Sequence, residues 1–197
     1  PAPLAILPYP QELTEQLELP RSGRTIIIRP IRAEDEPAHL EFHEAMSAES
    51  LRMRFFTHRH RFSHRQMALL TQLDYDREMA FVVVETDDNK DNILGVVRTW
   101  TDSDNILCEF AVMLREDLKG EGLGSLLLTK MINYCQKRGT LQMMGLVLQE
   151  NTAMLKLANK LGFYVFSERN GFVEIRLSLN NTKYEWQQQK LEHPHTD

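Results

Sequence analysis

The chain is short of cysteine, of long apolar runs and of positive charge, and each shortage removes a class of protein. Of its 197 residues only Cys108 and Cys135 are cysteines, in no CxxC pair and at no metal-ligand spacing. Neither a disulfide framework nor a metal site is therefore expected, and a reducing cytoplasm is the natural compartment. No stretch approaches the ~20 apolar residues that cross a bilayer, and no signal-peptide pattern opens the chain, so no membrane association is expected. A net charge of −5 argues against a sequence-independent grip on nucleic acid, which needs a broadly basic surface to displace counterions, and leaves room only for a local basic patch. With 42% hydrophobic and 26% charged residues, the composition is that of a single globular domain, neither disordered nor fibrous.

What is present falls into three parts. Residues 1–22 are punctuated by prolines and do not start with Met, which reads as a linker or extension from an upstream domain. Residues 23–180 carry the regular patterns, and 181–197 form a polar, His-bearing tail. Within the middle part Thr25 to Arg32 is a β-branched strand, Pro37 to Met46 a helix behind acidic Glu34, Asp35 and Glu36, and Ser63 caps a helix to Leu73. Met79 to Glu85, Ile93 to Trp100 and Ile106 to Leu114 read as consecutive strands separated by polar turns. An amphipathic helix from Leu123, a strand to Leu148, a helix from Thr152 to Leu161 and two strands from Phe163 and Phe172 complete the pattern. Three consecutive strands ahead of the main helix exclude a doubly wound fold and predict an α+β class with a mixed, mostly antiparallel central sheet flanked by helices. The basic run Arg52 to Arg65 is either a solvated face or a docking surface for an acidic group.

Lys119-Gly120-Glu121-Gly122-Leu123-Gly124-Ser125 joins a strand to the start of an amphipathic helix. There, unpaired backbone N–H groups and the helix dipole favour a phosphate. The loop lacks the Gly-Lys-Ser/Thr of a nucleotide P-loop, and Leu127 stands where a dinucleotide fold needs its third glycine. Lys119-x-x-Gly122-x-Gly124 resembles the Gln/Arg-x-x-Gly-x-Gly/Ala signature of the GNAT N-acetyltransferases, with lysine as a departure at the first position. Asn151 and the closing Gly162-Phe163 match further family positions. The runs Ile28 to Pro37, Arg54-Phe55-Phe56, Leu70 to Ala80 and Asn151-x-x-Met154-Leu155-x-Leu157-Ala158 resemble the C-terminal domain of the bacterial protein lysine acetyltransferases called Pat.

The resemblance implies a GNAT fold that uses acetyl-CoA as co-substrate. The backbone of Val112, Met113 and Leu114 would hold pantetheine, and Lys119, Gly120, Glu121, Gly122, Leu123, Gly124 and Ser125 the pyrophosphate. Asn151 would contribute to the cofactor site or act only as a helix cap. Glu121 is expected to turn its carboxylate away from the phosphates. The resemblance further implies an upstream domain similar to ADP-forming acyl-CoA synthetases, and a protein lysine as acceptor, such as one on an acyl-CoA synthetase.

The chemistry needs a base, because a lysine with pKa near ~10.4 is almost wholly protonated at neutral pH. Glu109, flanked by apolar Cys108 and Phe110, is the candidate; burial between such neighbours is expected to raise its pKa. It is otherwise a carboxylate satisfied by a nearby arginine, with Glu150 and Glu116 as the alternative bases. The family's other base position, five residues before Asn151, is Leu146, and its usual tyrosine acid, seven residues after, is Ala158. The first route is therefore excluded, water can take the place of the tyrosine because a thiolate leaves well, and direct attack is expected, with a backbone N–H near Met113 stabilising the oxyanion. Two rivals share the cofactor residues: a small-molecule amine acetyltransferase and a non-catalytic acyl-CoA sensor.

Overall fold

A computed structural model describes residues 7–56, 62–118 and 120–180. Eight strands form one sheet: β1 (Glu15–Glu18), β2 (Thr25–Pro30), β3 (Glu78–Asp87), β4 (Lys90–Thr101), β5 (Leu107–Leu114), β6 (Gln142–Leu148), β7 (Tyr164–Arg169) and β8 (Phe172–Ser178). They lie in the order β1-β2-β3-β4-β5-β6-β8-β7. Every pairing is antiparallel except β5–β6, which is the mixed α+β sheet the pattern implied. Among the described residues five α-helices flank it: α1 (Glu36–Glu44), α2 (Ala48–Phe55), α3 (His64–Thr71), α4 (Leu123–Lys137) and α5 (Thr152–Lys160).

Two local differences from the sequence reading have physical causes. Glu15–Glu18, inside the segment read as a linker, pairs with Ile28 to Thr25, and Leu19 behind it is 2% exposed. The ordered sheet thus starts before Gly23. Ala48–Phe55, whose second half was read as the start of the basic stretch, is a helix because the Ser47 hydroxyl accepts the Ser50 N–H at its start and Phe56 ends it in the left-handed region at φ 59°. Arg52 and Arg54 therefore project from a helix, while Arg65 is exposed on α3. His58, Arg59, His60 and Arg61 lie outside the described residues.

Alternation along the strands builds a core on each side of the sheet. On one side Val83, Cys108, Phe110, Met143 and Val173 meet Leu127, Leu128 and Met131 of α4. On the other Val82, Val96 and Met113 meet Phe42 of α1 and Met46. A buried ion pair, Arg29 Nη2 to Asp35 Oδ1 at 2.6 Å, ties the end of β2 to the start of α1. Among the described residues no helix is long and apolar enough to cross a membrane.

Candidate active site

The site arises where the one parallel pairing among the described strands ends. β5 and β6 are paired at Leu107–Gln142, Cys108–Met143 and Glu109–Met144, and no further. Past that point Phe110 stands opposite Gly145, where an added Cβ would come within 2.5 Å of the Phe110 ring. The ring is packed against Phe163, with centroids 5.2 Å apart. Phe110 is thus a wedge seated in the space a side chain at 145 would need, and the strands diverge beyond it. A cleft of about 780 Å³ opens there, lined by Glu109 to Leu114, by the glycine loop, and by Gly145, Leu146 and Asn151.

Ladder alternation decides which backbone groups face the cleft. Arg115 N–H donates to Leu94 C=O at 2.9 Å, and Asp102 N–H to Leu107 C=O at 3.0 Å. Hydrogen-bonded pairs in an antiparallel ladder alternate, so residues 107, 109, 111, 113 and 115 bond to β4. Val112 and Leu114 therefore direct their N–H and C=O groups into the gap left by β6. Met113 spends its N–H on Val96, so the open backbone N–H groups near Met113 are those of its neighbours Val112 and Leu114.

The glycine loop enters the cleft from below. Gly120 and Gly122 have φ of 92° and 81°, a region closed to most side chains. Gly122 is the N-cap of α4 without a side-chain cap, so the first-turn N–H groups of Leu123, Gly124 and Ser125 are open to a ligand. Gly124 serves close packing instead, since a Cβ there would lie 3.2 Å from both Leu114 and Leu157. Glu121 is not among the cleft-lining residues; its charge, with those of Glu85 and Asp117, helps hold the Arg24 guanidinium above its usual pKa. Lys119 lies outside the described residues. Asn151 lines the cleft, but its side-chain oxygen accepts the Met154 N–H at 3.2 Å, so it caps α5.

Glu109 is at the last paired position before the strands part. The expectation of burial is not met: Cys108 and Phe110 are buried, whereas Glu109 is exposed. Apolar neighbours in a strand point to the opposite face. Among the described residues Glu109 makes no hydrogen bond or ion pair, although its field acts on the Arg54 guanidinium, whose pKa is lowered chiefly by burial. The alternative bases are engaged. Ser47 and Ser50 both donate to Glu116 Oε1, and Glu150 pairs with Arg52 at 2.7 Å. Leu146 lines the cleft, and Ala158 is 1% exposed in the core. Among the described residues no cluster of His, Cys, Asp or Glu is arranged to hold a metal ion.

The sequence reading missed helix α2, which contributes Glu49, Ser50, Met53 and Arg54 to the cleft, and the Phe110–Gly145 wedge. An isolated glycine inside an apolar strand is the one signal that pointed to the second.

Residues 25–164 match the family described as "Acetyltransferase (GNAT) domain". The chain belongs to the GNAT acetyltransferase family. It is 30% identical over 141 residues to an acetyltransferase of Pseudomonas aeruginosa, covering 72% of this chain and 76% of that protein. The GNAT domain of S. lividans PAT shares the fold with a TM-score of 0.77 at 23% identity, covering 87% of this chain and 99% of that one. Spermidine N-acetyltransferase from Vibrio cholerae, solved with CoA and spermine, has a TM-score of 0.61 at 17% identity, with 78% and 95% covered. As a GNAT acetyltransferase, the chain is an acyl-transferring enzyme.

Proposed function

We propose that this enzyme transfers the acetyl group of acetyl-CoA to a lysine side chain of a protein, with Glu109 as general base. The observation that carries the reading is the position of Glu109, at the edge of a cleft with open backbone N–H groups on one wall and a helix N-terminus at its base. Pyrophosphate binds the N–H groups of the Gly120 to Ser125 loop, and pantetheine lies along Val112 and Leu114 in the manner of an added strand.

The lysine amine gives up a proton to Glu109, directly or through one water, and its nitrogen attacks the thioester carbon. Backbone N–H groups of Val112 and Leu114 face the developing oxyanion. The C–S bond then breaks, coenzyme A leaves as a thiolate, a good leaving group at a thiol pKa near ~8.5, and the second proton of the nitrogen passes through water to the thiolate to leave the neutral amide. Exposure of Glu109 before binding is compatible with this role, because acceptor and thioester strip its water as they close over it, and a desolvated carboxylate is a stronger base. The resemblance to the Pat enzymes supports a protein acceptor such as an acyl-CoA synthetase, and an upstream synthetase-like domain. Two buried free thiols accord with a reducing cytoplasm.

The test is transfer of labelled acetyl from acetyl-CoA to a purified acyl-CoA synthetase, beside spermidine as the small-amine control. Label on the protein is expected, with loss of synthetase activity. Efficient turnover of spermidine with no labelled protein would overturn the reading.

A further inference from the structure

Strand register places Glu109 in a row of side chains that crosses the C-terminal half of the sheet. Trp100 pairs with Glu109, Glu109 with Met144, Met144 with Arg176 and Arg176 with Tyr164. Directly paired residues share a face, so all five project on the side occupied by α1 to α3. Leu146, beside Glu174, and Phe166 extend the row toward the cleft mouth. Helix α2 lies over the cleft end of this half, where Ser50, Met53 and Arg54 line the cleft with Glu109 and Leu146, and the Phe56 ring at its C-cap meets Phe172 with centroids 5.0 Å apart. Among the described residues no helix covers the rest. Trp100 is 55% exposed, Phe166 52% and Leu146 40%.

We infer that this open face is the docking surface for the protein acceptor, an inference that rests on the protein-lysine reading above. Five strands at ~4.8 Å spacing put roughly 19 Å between the outer strands of the row, well beyond the reach of a single lysine-sized amine or of spermidine. Exposed Trp100, Tyr164 and Phe166 beside half-buried Met144 and Arg176, with no lysine in the row, are residue types enriched in interface cores. The surface is also pre-shaped. The Arg176 guanidinium lies 3.6 Å from the centroid of the Phe166 ring and is held at 2.7 Å by Glu174, so a partner meets ordered groups and loses little side-chain entropy. Glu109 belongs to the row, so a lysine presented by a segment docked across it arrives at the base while the acyl donor occupies the cleft behind.

The experiment compares Trp100→Ala, Phe166→Ala and the double variant on two acceptors, a purified acyl-CoA synthetase and Nα-acetyl-lysine methylamide. Neither residue lines the cleft, and both are exposed, so melting temperature and transfer to the small acceptor are expected within twofold of the parent. The kcat/KM for the protein should fall about tenfold or more in the double variant, the loss that two interface aromatics carry. Unchanged protein transfer overturns the docking surface and leaves the Glu109 reading standing. An equal fall on both acceptors makes the residues structural and also overturns it. Transfer by the parent to the small acceptor alone removes both the reading and the inference. Sedimentation showing a dimer that the double variant dissolves would assign the face to a second copy of the chain.

Discussion

Replacing Gly145 with alanine tests whether the Phe110 wedge creates the cleft. The new Cβ would lie 2.5 Å from Phe110 Cε1 and 2.7 Å from Cζ, well inside contact distance. The ring has little freedom to retreat, because Phe110 is 5% exposed and faces Phe163. Overpacking of this kind costs about 1–3 kcal/mol. For a protein of this length each kcal/mol lowers the melting temperature by about 2–4 °C, which gives a fall of about 2–12 °C by calorimetry. A displaced ring also enters the space beside Val112, so acetyl-CoA affinity measured by titration calorimetry should drop. Adding Phe110→Leu should restore part of both losses in Gly145→Ala, giving a favourable coupling in the double-mutant cycle. A Gly145→Ala protein with unchanged melting temperature and unchanged acetyl-CoA affinity would refute the wedge.

Two further outcomes are expected. Gly122→Asp places a side chain at φ 81° in open space and a like charge beside the pyrophosphate site, so calorimetric affinity for acetyl-CoA should fall at least tenfold while the fold survives; unchanged affinity would remove the loop assignment. His39, 1% exposed and facing His43 and Arg98, has its pKa pushed down from 6.5 to about 2 by burial. The unfolded chain therefore takes up the proton first as pH falls below 6.5, and stability present above that pH is lost. Urea titrations at pH 7.5 and 5.5 should differ by about 1 kcal/mol more in the parent than in His39→Leu; equal differences would show that His39 does not contribute.

The succession of elements from β2 onward and the glycine loop were legible because both are local: turn residues separate the strands, and the glycines adjoin the start of a helix. β1 was not, since its Glu-Gln-Leu-Glu carries no alternation strong enough to separate it from a linker and it gains its place only by pairing with β2. α2 was obscured by its arginines, although Leu51 and Phe55 at four-residue spacing behind a capping serine are a helix signature. The error over Glu109 was one of geometry. Its apolar neighbours were taken as its surroundings, whereas the two-residue period of a strand sends them to the other face. The same period showed, only once the pairing was known, that Val112 and Leu114 rather than Met113 offer free backbone groups, and that Glu109 shares a row with Trp100 and Arg176.

The central claim is that Glu109 accepts the proton of the incoming amine. Glu109→Gln keeps the shape of the side chain and removes its basic form. Steady-state transfer to the protein acceptor, measured from pH 6 to 9 beside acetyl-CoA binding by calorimetry, separates chemistry from binding. The account predicts acetyl-CoA affinity unchanged, kcat lower by ~10²-fold or more, and the ascending limb of the pH profile lost or shifted in the variant. Near-normal kcat with the parental pH profile would contradict it and leave Glu109 a surface carboxylate beside Arg54.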